Sequence, residues 1–296
     1  MSVRNVTAQP STVLGRQLGD ELRRYREAAG LSTAVAAEAL DCTKAKISRI
    51  ENGRVPVRVP DLTALLHAYG IGDDAVLKRL TTLARSVHPR RREGWWDQYG
   101  PVLEDAYRDY IALEAASDSI RTFQSQLVPG LLQTPAYAWA VTVASKAWRT
   151  PDEIEQFVKV RAARQERLTA EQPLSVWAVV AEGVLHQRVG GVDVMRAQLE
   201  HLVAMTELAN VTVQVLPFSR GAHGGMFGPY LLLSLPQVSA LDVVLMEHPT
   251  GHIWLERESE VARYRDLFDD ARRSALSPEE SVARIKRIAV SEEFTA

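Results

Sequence analysis

The sequence predicts an α+β fold that is predominantly helical, in which an N-terminal domain of five helices precedes a larger domain. The larger domain combines a helical part with a mixed, roughly five-stranded sheet. Apolar residues recur every three or four positions through most of the chain, as they do in helices that bury one face. Between residues 174 and 255, five short, largely apolar runs predict strands. The length of 296 residues fits two domains at about 100–200 residues each.

The N-terminal domain follows a polar stretch, residues 1–11, which we expect to form a flexible arm. Gly30 and Gly53 each follow a helical pattern and suit the left-handed residue that ends a helix. Ser32 and Thr43 precede short helical patterns and can cap them with their hydroxyl groups. The five predicted helices cover about residues 13–29, 32–40, 43–52, 61–70 and 73–87.

The larger domain begins after His88-Pro89, which interrupts the helical pattern. We place the first domain at residues 12–88, a basic and aromatic linker at 89–101, and an α/β regulatory and dimerisation domain at 102–296. Helices are predicted at about 102–126, 135–148, 152–169, 192–208, 258–272 and 278–291, and strands at 174–181, 211–216, 230–235, 243–247 and 253–255. The helix between the first two strands suits a βαβ unit, and the last three strands suit an antiparallel meander.

Charge divides the chain into a basic and an acidic part. Residues 1–93 contain 16 Lys and Arg against 10 Asp and Glu, a net charge of +6. The remaining residues contain 19 against 27, a net charge of −8. This split favours a polyanionic partner for the N-terminal part alone, although a solvated basic surface would have the same composition.

Several functional classes lack the residues they require. The single cysteine, Cys42, excludes an intramolecular disulfide and a cysteine-rich metal site. His248 and His252 are separated by Pro249 and Gly251, so no helix aligns them for zinc, and we expect neither a metal nor a cofactor. Neither a signal peptide nor a membrane span is visible, and we expect a cytoplasmic protein with no membrane partner. No nucleophile elbow or phosphate-binding loop is present, so we expect no enzyme activity.

Residues 31–54 combine the features of two short helices that pack at a steep angle. Ala36, Ala37 and Ala39 are small enough for the contact, and a three-residue turn at 40–42 separates the two helical patterns. The apolar residues expected in the core behind them are Leu31, Val35, Leu40, Ile47 and Ile50. This arrangement predicts a helix-turn-helix, whose second helix enters the major groove of duplex DNA.

The second of these helices is rich in side chains that suit DNA. Lysine and arginine bind guanine edges or phosphates, and an alanine methyl group can contact a thymine methyl group. The helix N-termini at Ser32 and Thr43 offer backbone N–H groups to phosphates. The predicted DNA-binding residues are Ser32, Thr33, Thr43, Lys44, Ala45, Lys46, Ser48, Arg49, Arg54 and Arg58. Alanine at both Lys46 and Arg49 is expected to weaken operator binding.

This segment resembles the Cro/C1-type (XRE) helix-turn-helix family. The family pattern is present as Leu31-Ser32 and as Ile47-Ser48-Arg49-Ile50-Glu51-Asn52-Gly53. The family often has glutamine at the start of its first motif helix, where it contacts phosphate. Thr33 occupies that place here, so the resemblance implies a weaker side-chain contact or a backbone contact.

Residues beyond about 95 resemble the C-terminal domain of the WhiJ-like, antitoxin-like regulators of actinomycetes. The matching stretches are residues 110–115 (YIALEA), 128–138 (VPGLLQTPAYA), 161–168 (RAARQERL), 195–199 (MRAQL), 211–218 (VTVQVLPF) and 276–281 (LSPEES). The resemblance implies a transcription regulator that works with a small partner protein encoded nearby. It supplies neither a ligand nor a catalytic residue for this domain.

Other features of the larger domain leave alternatives open. Arg161, Arg164 and Arg167 form a basic helical face that can hold an acidic partner or pair with neighbouring carboxylates. The glycine-rich segment 221–228 is expected to be a flexible hairpin loop. A domain that responds to a protein partner predicts an exposed apolar patch. A domain that senses a small molecule predicts a pocket between the helical part and the sheet, near Trp95, Trp177 and Trp254.

We expect a homodimer whose two DNA-binding modules lie one helical turn apart on a palindromic site.

Overall fold

The structure is a computed structural model that describes residues 12–87, 94–100, 102–146, 150–235, 241–248, 251–291 and 294. The predicted arm at 1–11, residue 88 and the start of the predicted linker, residues 89–93, lie outside these residues. Of the described residues, those up to Asp97 and Leu241 form one compact unit, and the others form a second. Each unit is described by itself.

The first unit is helical, and its helices are those that the sequence predicts. They are α1 (Val13–Ala28), α2 (Thr33–Ala39), α3 (Lys44–Glu51), α4 (Val59–Ala68) and α5 (Asp74–Val87). The predicted caps of α2 and α3 are confirmed, since the hydroxyls of Ser32 and Thr43 accept hydrogen bonds from the third residue of each helix. Helix α4 begins two residues before the predicted Asp61, because Pro60 already has the backbone angle of a first helical turn.

The small contact residues of α2 are confirmed in part. Ala36 and Ala37 are buried, whereas Ala39 is exposed and Val35 is 40% exposed. The core prediction for Val35 and the contact prediction for Ala39 are therefore wrong. At 3.6 residues per turn, these two side chains point roughly 150° and 110° away from the centre of the face that Ala36 and Ala37 form.

The second unit contains seven α-helices and six strands among its described residues. The helices are α6 (Asp105–Ala116), α7 (Pro135–Ser145), α8 (Pro151–Gln165), α9 (Glu182–His186), α10 (Val192–Met205), α11 (Glu258–Ser274) and α12 (Pro278–Ala289). The strands are β1 (Ser119–Gln124), β2 (Ser175–Ala181), β3 (Val211–Leu216), β4 (Tyr230–Leu235), β5 (Leu241–His248) and β6 (Gly251–Leu255).

The six strands form one mixed sheet in the order β3-β2-β1-β4-β5-β6. Strands β1, β2 and β3 are parallel, and α10 joins β2 to β3, which confirms the predicted βαβ unit. The pairs β1–β4 and β5–β6 are antiparallel. The predicted fold class is confirmed, with six strands where the sequence suggested roughly five.

The additional strand is β1, which the sequence analysis assigned to a long helix over residues 102–126. Helix α6 instead ends at Ala116, and Ser117 donates a hydrogen bond from its hydroxyl to the Leu113 carbonyl at 2.7 Å. The following residues pair with β2 on one side and β4 on the other. These long-range pairings override a local pattern that suits a helix.

The glycine-rich segment 221–228 does not form the predicted hairpin loop. It connects β3, at one edge of the sheet, to β4, and β2 and β1 lie between those two strands. The segment therefore belongs to a crossover connection, and part of it, Gly224–Phe227, forms a short 3₁₀ helix.

One face of the sheet packs against α11. Phe123, Val179 and Leu232 of the sheet are fully buried in one cluster with Val261 and Phe268 of α11. Because side chains alternate along a strand, Ile120, Thr122 and Gln124 of β1 point to the opposite face.

A group of charges ties the sheet to α11. Asp242 of β5 accepts hydrogen bonds from the Ser234 hydroxyl at 2.6 Å, from Arg121 Nη2 at 2.7 Å and from Arg265 Nε at 2.6 Å. Burial raises the pKa of Asp242, but these hydrogen bonds and the two arginine charges outweigh burial and leave the pKa below its ordinary value. The carboxylate is therefore ionised at neutral pH.

Candidate nucleic-acid interface and polar pocket

Helix α3 presents a polar face outward. Lys44, Ala45, Ser48 and Arg49 are exposed, whereas Ile47 is 1% and Ile50 is 3% exposed. The four exposed residues are among those predicted to contact DNA. The structure places them on one side of a single helix, and their contacts with DNA remain a prediction.

Lys46 lies at the edge of this face and is partly neutralised. Its ammonium group lies 3.8 Å from a carboxylate oxygen of Asp61, and both side chains are more than a third exposed. Such a surface pair contributes about 0–1 kcal/mol and is easily exchanged for a phosphate contact. Arg49 carries no ion pair among the described residues, and its Nε donates to the Ala45 carbonyl at 3.3 Å.

The other predicted residues surround α3. Ser32 and Thr43 use their hydroxyls as helix caps, accepting from the backbone N–H groups of Val35 at 3.4 Å and Lys46 at 3.2 Å. Thr33 is half-buried in the first turn of α2. The N–H groups of the first helical turns have few partners within their helices and can bind phosphate. The remaining two, Arg54 and Arg58, are exposed between α3 and α4.

A buried ion pair fixes α3 to α1. Arg26 of α1 donates to both carboxylate oxygens of Glu51, from Nε at 2.6 Å and from Nη2 at 3.0 Å. The same guanidinium donates from Nη1 to the Leu31 carbonyl at 2.8 Å, between α1 and α2. The two side chains are 9% and 4% exposed. The hydrogen bonds to Glu51 raise the pKa of Arg26 despite its burial.

The sequence analysis missed the role of Glu51, which it quoted only as part of a motif. Its partner lies 25 positions away on another helix. No local spacing indicates such a contact. An acidic residue between the buried Ile50 and a helix-ending Asn-Gly pair is the one signal that hints at a buried carboxylate.

Glycine allows α1 and α3 to approach closely. A Cβ atom on Gly19 would lie 2.5 Å from the Glu51 carbonyl oxygen and 2.6 Å from that of Ile50. Gly53 has a φ of +66°, and a Cβ atom there would lie 2.4 Å from the backbone nitrogen of Arg16. The backbone contact and the buried ion pair together hold α3 in one position.

In the second unit, the predicted basic face of α8 is engaged within the protein. Arg164 is 4% exposed and donates to both oxygens of Glu114 at 2.6 Å. It also donates to the hydroxyls of Tyr107 at 2.7 Å and Tyr110 at 2.6 Å. Arg167 donates to the backbone carbonyls of Gln172 and Ser117, each at 3.0 Å. Of the two alternatives for this face, pairing with a neighbouring carboxylate describes Arg164, whereas Arg167 binds backbone carbonyls.

A small polar cavity lies on the sheet face opposite α11. Its walls come from β1, α6, α8, β5 and residues 127–133. Its volume is about 70 Å³. That volume exceeds the roughly 30 Å³ that one water occupies in the liquid and is well below the roughly 300–1,000 Å³ of pockets for drug-sized ligands. The cavity lies between helices and sheet, but neither Trp177 nor Trp254 lines it.

Three charged side chains line this cavity, Arg161, Arg164 and Glu247, and Arg164 is already paired with Glu114. Arg161 donates from Nη1 to Gln133 Oε1, and its buried Nε has no hydrogen-bond partner among the described residues. Glu247 lies opposite His252 in the β5–β6 register, with Oε1 3.7 Å from His252 Nε2. Partial desolvation raises the pKa of Glu247, but His252, Arg161 and Arg164 outweigh it and leave the pKa below its ordinary value.

The described residues contain neither a metal-binding cluster nor a membrane-spanning helix. Among the described residues, no group of three or more histidine, cysteine, aspartate or glutamate side chains is arranged to hold a metal ion. No helix in the described part of the chain has the length and apolar character needed to cross a membrane.

Comparison with known families matches both units. Residues 17–80 match a family described as helix-turn-helix domain. Residues 107–287 match a family described as domain of unknown function (DUF5753). No curated protein and no solved structure matches the chain at a significant level.

Proposed function

The chain belongs to the DUF5753 family and carries a helix-turn-helix DNA-binding domain, and on this basis we propose that it is a sequence-specific transcription regulator. The exposed face of α3, with Ala45, Ser48 and Arg49 at its centre, is the observation that carries the proposal. In a helix-turn-helix protein this face lies against base edges in the major groove. Lys44, Arg54 and Arg58 contact the phosphates on either side.

The rigid attachment of α3 supports specific recognition. A bidentate contact from arginine to guanine discriminates by about 1–3 kcal/mol only when the side chain approaches in one orientation. The buried Arg26–Glu51 pair and the close contact at Gly19 restrict the orientation of α3. These contacts hold the recognition face in place before DNA binds.

We further propose that the protein acts as a dimer on a palindromic operator, and that its second unit has a regulatory rather than a catalytic role. A dimer doubles the number of phosphate and base contacts, because a single helix of eight residues reaches only a few base pairs. The acidic charge of the second part of the chain favours contacts with protein over contacts with DNA.

A small protein encoded nearby is the effector that we propose first, as the resemblance to the WhiJ-like, antitoxin-like subfamily suggests. Exposed apolar side chains in the β3–β4 connection support a protein partner. Phe218 is 68%, Met226 is 69% and Phe227 is 97% exposed. Large apolar side chains that remain this exposed are typical of surfaces that bind other proteins.

The experiment is to measure the affinity of the purified full chain for the DNA upstream of its own coding sequence. A shuffled fragment of equal length and composition is the control, and both are titrated with salt, with and without the adjacent small protein. We expect tighter binding to the natural fragment, with an affinity that falls steeply as salt rises and changes when the partner is added. Equal affinity for both fragments at every salt concentration would exclude sequence-specific regulation. An unchanged affinity with the partner present would exclude only the effector.

A second candidate for the effector is a small molecule, and the polar cavity favours it. The cavity has two arginines and one glutamate on its walls and is lined by several elements of one unit. Sensing of this kind predicts that a ligand changes DNA affinity without any added protein.

A further inference from the structure

The cavity of the second unit combines small size with two side chains of opposite charge, Arg161 and Glu247, neither of which has its full set of hydrogen bonds in the described part of the chain. We propose that it binds a small zwitterion the size of a short amino acid, with the anionic group at Arg161 and the cationic group at Glu247. This inference extends the ligand-sensing candidate above and is independent of the DNA-binding site.

Arg161 is the arginine that remains available to an anion. Arg164 already donates to Glu114, Tyr107 and Tyr110, which uses four of its five N–H groups. Within the part of the chain that the structure describes, Arg161 makes one hydrogen bond, to Gln133, and it stacks its guanidinium on the Phe157 ring at 5.1 Å. Its buried Nε has no acceptor among the described residues, and a buried donor without a partner carries a desolvation cost. A bound anion in the cavity offsets that cost if the guanidinium turns toward it.

Glu247 is the corresponding group for a cation. Its nearest basic neighbour, His252 Nε2, lies 3.7 Å away, beyond the usual length of a hydrogen bond. The side chain of Glu247 is 54% exposed, so an incoming group can reach the carboxylate. The neighbouring charges keep its pKa low, so the carboxylate is ionised at neutral pH. An ammonium group therefore finds a charged acceptor on the sheet wall of the cavity, while Arg161 belongs to the wall that α8 forms.

The volume limits the ligand. A cavity of about 70 Å³ accommodates a few water molecules or one compact ligand, and it is too small to take in a whole nucleotide. A zwitterion can pair with Arg161 and Glu247 at once. A simple anion can pair only with Arg161 and is repelled by the Glu247 carboxylate. Small zwitterions are the class that matches size and charge together.

The test is isothermal titration calorimetry on the full chain with glycine, L-alanine and L-serine as probes. Acetate and methylammonium serve as half-ligands that carry only one of the two charges. We expect at least one zwitterion to bind with one site per chain, and each half-ligand to bind at least tenfold more weakly. Glu247→Gln and Arg161→Gln should each weaken zwitterion binding at least tenfold.

Lys159→Gln is the matched control, because Lys159 lies on α8 like Arg161, is 52% exposed and pairs with Glu155 at the surface. It should leave zwitterion binding within twofold of the unsubstituted chain. Circular dichroism verifies that each variant is folded, and Glu247→Gln, which keeps the shape of the side chain, provides the test if Arg161→Gln does not fold.

Three results would overturn the proposal: no zwitterion binds, acetate binds as tightly as the zwitterions, or binding is insensitive to Glu247→Gln. A protein that binds DNA specifically but gives any of these results retains its proposed regulatory function. A protein that binds a zwitterion through Arg161 and Glu247 without a change in DNA affinity retains the site and loses only the sensing role.

Discussion

Gly19→Ala tests how α3 is positioned. The new Cβ atom would lie 2.5 Å from the Glu51 carbonyl oxygen and 2.6 Å from that of Ile50, where ordinary contacts begin at 3.4 Å. Both neighbours are backbone atoms and cannot rotate away. Helices α1 and α3 must therefore move apart until these two distances approach 3.4 Å. Overpacking of this kind costs up to about 3 kcal/mol, and the better helix propensity of alanine returns about 1 kcal/mol. The expected net loss of stability in the first unit is about 2 kcal/mol.

Urea unfolding of the full chain measures this loss, with hydrogen exchange at the backbone amides of residues 13–87 as the probe of the first unit. Gly72→Ala is the matched control, because a Cβ atom at Gly72 meets no heavy atom within 4 Å and Gly72 does not have a left-handed φ. That control is expected to stabilise the unit by about 0.4–1 kcal/mol through the unfolded chain. Equal effects of the two substitutions on stability would refute the close contact at Gly19. A shift of α3 also predicts weaker operator binding by Gly19→Ala at temperatures where it is folded.

Three further substitutions test other parts of the account by urea unfolding. Glu51→Gln should cost about 3–5 kcal/mol because it removes the buried counter-charge of Arg26 and leaves only the exposed carboxylate of Glu27, 3.4 Å away. A loss below about 1 kcal/mol would contradict the importance of the buried pair. Asp41→Gly should stabilise the first unit by up to about 1 kcal/mol. Asp41 has a φ of 45°, and a left-handed residue with a Cβ atom costs about 1–2 kcal/mol. A loss of stability in this variant would contradict the expected relief of backbone strain. Asp242→Asn should destabilise the second unit at neutral pH. Folding lowers the pKa of Asp242, so the stabilisation that its carboxylate provides is complete above the ordinary aspartate pKa of about 3.9. This stabilisation is lost as the pH falls through the lower pKa of the folded state. The difference between Asp242→Asn and the unsubstituted chain should therefore shrink below about pH 4, and a difference that does not change with pH would contradict the sign.

The first unit could be predicted closely because its signals are local. Ser32 and Thr43 cap helices, Gly30 and Gly53 end them, and each of these properties follows from a residue and its immediate neighbours. Val35 was misplaced because its apolar character suggested burial, while its position on the helix points it to solvent.

The second unit was harder to predict because long-range contacts determine it. Strand β1 follows a helix after only two residues, and its pairing with β2 involves residues 56 positions away, as in Ser119 with Ser175. The sequence identified Arg164 as part of a basic face, but its carboxylate partner Glu114 lies 50 positions away. The cavity depends on several separate segments of chain, and no spacing within any one of them indicates it.

The most direct measurement of the central claim compares the DNA affinity of Arg49→Ala with that of Lys78→Ala. Both substitutions remove one positive charge from an exposed residue of the first unit, but Arg49 lies on α3 and Lys78 lies on α5. We predict that Arg49→Ala weakens binding to the natural upstream fragment by about 1–3 kcal/mol and reduces the preference over shuffled DNA, whereas Lys78→Ala changes neither by more than about twofold. Equal effects of the two substitutions, or no effect of Arg49→Ala, would contradict the assignment of α3 as the recognition helix.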